Sequence, residues 1–150
     1  MRAAVAALLL LAGPAAAQTA RPMLDYASAA RIRDTCLAWA GERGLNVAIV
    51  VIDVRGMPVT LAHMDGVSTG VGDIARWKAN SAARFGRSTA EMRALNPPPN
   101  MPGVATVPGG VPIYAGGVLL GGVGTSGASG AEDEACGRAG VEAAGLKVTR

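Results

Sequence analysis

Apolar residues recur along the chain at helical spacing near its start. Ile32, Cys36 and Trp39 stand at i, i+4 and i+7, which is typical of the buried face of a helix. Asp25, just before this segment, is a residue type that commonly caps helix N-termini. We therefore predict a first helix over residues 26–43.

Two further segments have the pattern of strands joined by short turns. Residues 47–53 are apolar at every position except the last, which predicts a strand covered on both faces. A turn at residues 53–56 and a returning segment at 57–64 make this strand half of a hairpin. Residues 111–114 and 118–123 predict a second hairpin.

The remaining helices are predicted from periodicity and capping signals. A helix over residues 73–85 carries one stripe predicted to be buried, formed by Ile74, Trp77, Ser81 and Phe85. Ser88 with a glutamate three residues later is a capping box, and it predicts a short helix ending near residue 95. A glycine-rich turn at residues 124–130 leads into the last helix, where Ser129 and Glu132 form a second capping box.

A proline-rich loop fills residues 96–112, and within it residues 104–107 are predicted to form a short edge strand. Short turns between neighbouring strands predict an antiparallel sheet with helices packed against it. The length of 150 residues suits one domain. The net charge of +3 is scattered rather than clustered, so nothing indicates a nucleic-acid interface.

The first 17 residues have the order of a secretory signal peptide. Arg2 precedes the apolar residues 3–12, which are too few to span a bilayer, and residues 15–17 supply an A-x-A cleavage signal. Residues 18–150 are then a single mature domain with no membrane span, and we predict a periplasmic or secreted location. Cys36 and Cys136 are the only cysteines, and an exported chain permits either a disulfide between them or two buried thiols.

Several segments together resemble the GlcG/HbpS-like family, the haem-binding or haem-degrading domain family. They are VAIVVIDVRGMPVTLAHMDG, KANSAARFGRST, PGGVPI and GGVGTSGASGAEDEACGRAG, in that order along the chain. The resemblance implies a profilin-like three-layer α/β/α fold with a five-stranded antiparallel sheet. It also implies homo-oligomers and, in some members, haem as ligand. Members usually carry arginine where this chain has His63, and the acidic ExxE iron motif of one branch has no counterpart here.

His63 is the only histidine and the principal candidate for a cofactor ligand. A neutral imidazole is a common axial ligand of haem, and Met64 next to it points to the opposite face of the strand. The alternative is a strand histidine that merely packs. One histidine and two cysteines on different helices do not make a convincing zinc site.

Anion-binding candidates occur in the middle and near the end of the chain. Lys78 could pair with a carboxylate, or its stem could pack while its ammonium group reaches water. Thr125, Ser126 and Gly127 could receive a carboxylate at the start of the last helix. They belong to a G-x-G-x-x-G sequence, residues 122–127, which resembles the fingerprint of a dinucleotide site. The acidic residue and the further strand that such a site requires are missing from the sequence that follows. The glycines could instead permit close packing of a helix on the sheet.

These candidates support one leading function and two alternatives. The leading one is an exported, oligomeric protein that binds haem or a similar flat, acid-bearing small molecule. The first alternative is an enzyme acting on an organic acid, as in glycolate-type metabolism, with Lys78, Asp65 or Glu132 as acid/base or anchoring group. The second is a structural, oligomeric accessory protein.

Overall fold

The computed structural model describes residues 19–150, so the signal segment predicted at residues 1–17 lies outside the described part. The elements, in chain order, are α1 (Tyr26–Gly41), β1 (Ala48–Asp53), β2 (Pro58–His63), α2 (Thr69–Phe85), α3 (Thr89–Ala94), β3 (Gly110–Ala115), β4 (Val118–Ser126) and α4 (Gly130–Ala143). No helix among these is long and apolar enough to cross a membrane.

The strands form one antiparallel sheet with helices on both faces. The order is β2-β1-β4-β3, and every neighbouring pair is antiparallel. α1 and α4 pack together on one face, and α2 covers the other. The predicted mixed fold of an antiparallel sheet between helix layers is therefore confirmed.

β1 lies inside the sheet and is buried along its whole length, as the continuous apolar pattern predicted. Ile49 and Val51 face the core beneath α1 and α4. Val50 and Ile52 face α2 on the other side. Alternation of side chains along one strand thus supplies both cores.

The sheet has four strands within residues 19–150, so the prediction of five is wrong for this chain. The segment predicted as an edge strand at residues 104–107 is not in the sheet. Its Ala105 N–H donates to Ser81 Oγ at 3.0 Å, which docks the segment on α2 instead. At the free edge of β3, Tyr114 and Lys147 exchange two backbone hydrogen bonds, so the C-terminal segment partly occupies the place of a fifth strand.

The buried face of α2 agrees with the predicted stripe at Ser81, which is fully buried, and differs from it at Ile74 and Trp77. Ile74 and Trp77 are 41% and 39% exposed. The buried residues are instead mostly small: Ala75, Lys78, Ala79, Ser81, Ala82 and Ala83. The cause lies in β4, where a Cβ on Gly124 would lie only 2.5 Å from the backbone nitrogen of Ala79. Because α2 sits directly on glycine backbone, the residues above Gly122 and Gly124 are alanines, whereas Lys78 reaches the end of β4.

β4 continues to Ser126, so the predicted turn at residues 124–130 is too long. Its last residue pairs with Ala48 of β1, and only three residues then connect the strand to α4. The capping predictions are confirmed: Asp25 accepts from Ser28 N, and Ser88 and Ser129 both form capping boxes.

Candidate functional site

The first residue of β1 and the last residues of β2 and β4 lie side by side at one end of the sheet, on the face that α2 covers. Ala48 of β1 is paired with His63 of β2 on one side and with Ser126 of β4 on the other. Paired residues of antiparallel strands project to the same face. The sequence candidates His63 and Ser126 therefore share this end of the sheet, two strands apart, which corresponds to about 10 Å.

A groove opens between β2 and α2 at this end, and we call it the β2–α2 groove. It has a volume of about 200 Å³. Its lining is mainly apolar, with one imidazole and two charged side chains: Ala48, Val50, Pro58, Leu61, Ala62, His63, Gly72, Asp73 and Arg76. An apolar surface with a few polar groups is typical of a small-molecule site.

His63 is the last residue of β2 and its side chain is exposed. Nε2 lies 3.2 Å from the backbone oxygen of Ser68, which can only accept a hydrogen bond. In the neutral ring Nε2 must therefore carry the proton, which leaves the lone pair of Nδ1 free. This arrangement is usual in histidines that bind metal: one ring nitrogen donates to a carbonyl oxygen, and the other nitrogen binds the metal. Gly72 makes room for the ring, since a Cβ there would lie 3.3 Å from His63 Cδ2.

Arg76 and Asp73 stand on one face of α2, one turn apart, at the border of the groove. Among the described residues Arg76 takes part in no ion pair. Its guanidinium group is thus available for an anionic ligand beside the imidazole. Neither residue was a candidate from the sequence, although their i, i+3 spacing just before Lys78 predicts a common helix face.

Met64 follows His63 but belongs to the opposite face, as strand alternation predicts. Its sulfur lies 3.5 Å from the backbone N–H of Val47, and the side chain packs against the core beneath α1 and α4. Its proposed contact with a ligand stays a prediction.

Lys78 lies inside the protein, with only 1% of its surface exposed. Its Nζ donates to the backbone oxygen of Thr125 at 2.9 Å, to Ser126 Oγ at 3.4 Å and to Asp133 Oδ2 at 2.9 Å. The three donors of the ammonium group are therefore all used. Asp133 Oδ1 also accepts from Ala128 N at 3.1 Å, so the network ties α2, the end of β4 and α4 together.

Lys78 and Asp133 stabilise each other's charges inside the protein, as expected of a pair that holds the fold together. Burial raises the pKa of the Asp133 carboxyl above its ordinary value, and the hydrogen bond and charge of Lys78 act against that rise. Lys78, Thr125 and Ser126 are occupied by this network, so a role in ligand binding would require it to open. That role stays a prediction. Sequence reasoning missed Asp133, which stands 55 positions from Lys78.

Gly122 and Gly124 of the G-x-G-x-x-G sequence lie within β4 beneath α2 rather than between a strand and a helix. Gly127, which is exposed, has φ +134°, and a Cβ there would lie 2.5 Å from the backbone oxygen of Asn46. These glycines permit close packing and a tight exit from the strand, in agreement with the packing alternative.

The candidates for acid/base chemistry are separated. Asp65 is exposed in the turn after β2. Glu132 accepts from Ser129 N in the capping box, and hydrogen bonds from the Ser129 side chain and backbone hold the pKa of its carboxyl below the usual range. Within residues 19–150 no hydrogen bond or ion pair joins either of them to Lys78, and no group of three His, Cys, Asp or Glu residues could hold a metal ion.

Cys36 of α1 and Cys136 of α4 are joined by a disulfide, with their Cα atoms 4.8 Å apart. Both residues are fully buried in the core beneath the two helices. Gly140 of α4 has no side chain to separate the helices, since a Cβ there would contact the backbone of Ile32. The bridge therefore fixes a helix pair that already packs closely.

Comparison with known proteins identifies the family and supports the fold. A family model described as HbpS-like haem-degrading protein matches residues 24–142. No protein of curated function matched the sequence. The similar solved structures include a double Glu→Asp variant of HbpS from Streptomyces reticuli, with 28% identity, a TM-score of 0.80, and coverage of 91% of this chain and 97% of that one.

Two more distant structures share the fold. The PduOC:heme complex has 20% identity and a TM-score of 0.79, covering 86% of this chain and all (100%) of that one. Protein ORFY of Klebsiella pneumoniae has 21% identity and a TM-score of 0.78, covering 85% and 95%. Because the family match extends over most of the chain and the fold agrees, this protein belongs to the HbpS-like haem-degrading protein family.

Proposed function

We propose that the protein binds haem in the β2–α2 groove, with His63 as axial ligand. The observation that carries the proposal is an exposed imidazole at the border of an apolar groove, with one ring nitrogen oriented by the Ser68 carbonyl and the other free. Membership of a haem-degrading protein family and the fold shared with the PduOC:heme complex support haem as the ligand.

Arg76 supplies the second recognition element in this proposal. Haem carries two propionates, and a guanidinium group binds a carboxylate through two parallel hydrogen bonds. Asp73 in the same groove would disfavour a second carboxylate beside it. Val50 and Leu61 would supply apolar contact to the bound group.

The groove holds only part of a haem. At about 200 Å³ it is smaller than the roughly 300–1,000 Å³ of ordinary ligand sites. Leu61, which is 60% exposed on the edge strand β2, extends the apolar surface beyond it. We propose that a second copy of the chain covers the remainder, so that the oligomer and the complete haem site form together.

We also propose that the protein is exported after removal of residues 1–17. The buried Cys36–Cys136 disulfide supports this proposal, because structural disulfides persist in oxidising compartments. The haem-binding domain would then act in the periplasm or outside the cell. Expression of the full chain in a bacterium, followed by N-terminal sequencing of the periplasmic fraction, tests this: a mature start at Gln18 is expected, and the intact chain in the cytoplasm would contradict it.

Titration of the purified protein with hemin tests the haem proposal. We expect a saturable Soret band whose position differs from that of free hemin. In His63→Ala the band should shift, because the axial ligand is lost, and the affinity should fall by about tenfold or more, which corresponds to about 1.4 kcal/mol. Added imidazole should restore the original band position in this variant, since it occupies the vacated ligand position.

Two arginine variants distinguish a specific contact with a propionate from a general effect of positive charge on hemin binding. Arg76→Ala should weaken hemin binding without moving the Soret band, because it leaves the axial ligand in place. Arg31→Ala removes the same charge from the exposed side of α1 and should change neither property.

A wild-type Soret band and affinity in His63→Ala would refute the assignment of His63, and no saturable band in the wild type would refute haem binding.

A further inference from the structure

A second cavity lies at the opposite end of the sheet from His63. It has a volume of about 420 Å³, within the ordinary range for small-molecule sites. Its walls come from the C-terminal end of α2, the strands on either side of the β3–β4 turn, and the last residues of the chain. The lining residues are Arg84, Phe85, Gly86, Arg87, Glu91, Tyr114, Leu119, Val148, Thr149 and Arg150.

Positive charge is concentrated in this cavity. Arg84, Arg87 and Arg150 border it, and none of the three takes part in an ion pair within residues 19–150. The one acidic side chain among them, Glu91, accepts from the backbone N–H of Ser88 at 2.7 Å as part of a capping box. That carboxylate is already committed, and among the lining side chains three guanidinium groups stand against this one carboxylate.

The segments that carry these arginines are held in place by the fold. Tyr114 OH donates to the backbone oxygen of Gly86 at 2.9 Å, between Arg84 and Arg87. Gly86 ends α2 with φ +62°, and a Cβ there would collide with the Tyr114 hydroxyl. Tyr114 also exchanges backbone hydrogen bonds of 2.7 and 3.0 Å with Lys147, which anchors the segment leading to Arg150. One tyrosine thus fixes both walls of the cavity.

Ordinary helix-end electrostatics explain only part of the cluster. A cation in the last turn of a helix is favourable near its C-terminus, and Arg84 has this position. Arg87 lies beyond the helix, and Arg150 comes from a segment 63 positions further along the chain. Separate segments of the chain therefore contribute arginines to one cavity, and an anion bound there could contact more than one of them.

We propose that this cavity binds a small anion with at least two acidic groups, phosphate or carboxylate. Guanidinium groups hold both chemistries by paired hydrogen bonds, and several arginines bind a multivalent anion more strongly than a monovalent one. The aromatic ring of Phe85 and the apolar Leu119 and Val148 leave room for a short carbon skeleton between the acidic groups. The site is separate from the β2–α2 groove and does not depend on haem binding.

Isothermal titration calorimetry with pyrophosphate and with citrate, at constant ionic strength set by chloride, tests the proposal. We expect saturable one-site binding of at least one of these probes, and the tighter probe identifies phosphate or carboxylate as the preferred group. Arg84→Ala, Arg87→Ala and Arg150→Ala should each weaken binding by about tenfold, since each removes charge-assisted hydrogen bonds. Arg87→Lys should lie between wild type and Arg87→Ala.

Arg31→Ala is the matched control, because it removes an exposed arginine of α1 far along the chain from the cavity. It should bind like the wild type, and His63→Ala should too, which keeps this test independent of the haem proposal. Absence of saturable binding of both probes would overturn the proposal. So would an equal loss in Arg31→Ala and Arg87→Ala, which would show general charge attraction rather than a site.

Discussion

The buried Lys78–Asp133 pair allows a quantitative test of how much stability depends on pairing these two charges. Side-chain exposures are 1% for Lys78 and 3% for Asp133, and the Nζ–Oδ2 distance is 2.9 Å. Removing one partner leaves the other as an uncompensated charge away from water. For such pairs the expected cost is about 3–5 kcal/mol, and replacing both partners by apolar residues of similar size is close to neutral.

Lys78→Met and Asp133→Leu should therefore each lower the free energy of unfolding by about 3–5 kcal/mol, while the double variant should return to within about 1 kcal/mol of wild type. For a domain of this size, 1 kcal/mol corresponds to a melting-temperature change of about 3–6 °C. The single variants should then melt roughly 9–30 °C below wild type. Urea unfolding of the four proteins gives the coupling energy directly.

A pH series adds a second readout with a defined sign. In Lys78→Met the buried Asp133 loses its cation, so its folded-state pKa rises further above the unfolded value. The native state then binds more protons than the unfolded state, and stability falls as pH rises through this window. Lys78→Met should therefore recover stability on mild acidification, relative to the double variant, which has no such carboxyl.

The partly buried pair of Arg138 and Glu134 is the matched control, with an N–O distance of 3.4 Å and side-chain exposures of 42% and 18%. Glu134→Gln should cost less than about 1 kcal/mol. Single variants at the buried pair that cost no more than this control would refute the account of the network. A double variant as unstable as the worse single variant would refute the claim that the cost comes from an unpaired charge.

Three further outcomes follow from the packing, the disulfide and the turn after β1. Gly124→Ala should destabilise the protein by about 1–3 kcal/mol or more in thermal unfolding, because the new Cβ would collide with the α2 backbone. Gly41→Ala is the control and should be neutral or slightly stabilising, because the space around Gly41 is open. Replacing Cys36 and Cys136 by serine should cost roughly 4–5 kcal/mol in urea unfolding, since the bridge closes a loop of 100 positions; no change would mean that the bridge does not form. Burial acts to raise the pKa of Asp53, but the Met57 N–H and Arg55 outweigh it and the net pKa is lowered. Asp53→Asn should therefore lose stability at neutral pH, and its difference from wild type should shrink as pH falls below about 4; a constant difference would contradict this.

Local signals in the sequence predicted local structure well. The caps at Asp25, Ser88 and Ser129 each depend on a side chain that accepts from a backbone N–H three residues later. Nothing distant in the fold is needed to form such a contact, so the residue types alone predict it. The continuous apolar run of β1 likewise predicted a strand covered on both faces.

The face that α2 buries could not be predicted in the same way. Helical spacing favoured a stripe that includes Ile74 and Trp77. The deciding residues are Gly122 and Gly124, which bring the sheet backbone against the helix, so that alanines are the α2 residues that face them. Their effect depends on strand pairing and register across the chain, which periodicity within the helix does not contain.

The candidate sites show the same limit. The sequence indicated Lys78 as a cation for an acidic guest, and the structure supplies an acidic partner, Asp133, from the chain itself. His63 was indicated because it is the only histidine, but its neighbour Arg76 becomes meaningful only once β2 and α2 lie side by side. Residue types pointed to the chemistry, and tertiary contacts decide which of those groups remain accessible.

The most direct test of the central claim uses the fact that His63 is the only histidine in the chain. Protein grown with ¹⁵N-histidine in place of the natural isotope is loaded with ferric hemin in imidazole-free buffer, and its electron spin echo modulation is recorded. If His63 binds the iron, the modulation from an axial nitrogen should change on labelling. Identical spectra from labelled and unlabelled protein would show that the iron has no histidine ligand, and would contradict the proposed haem site.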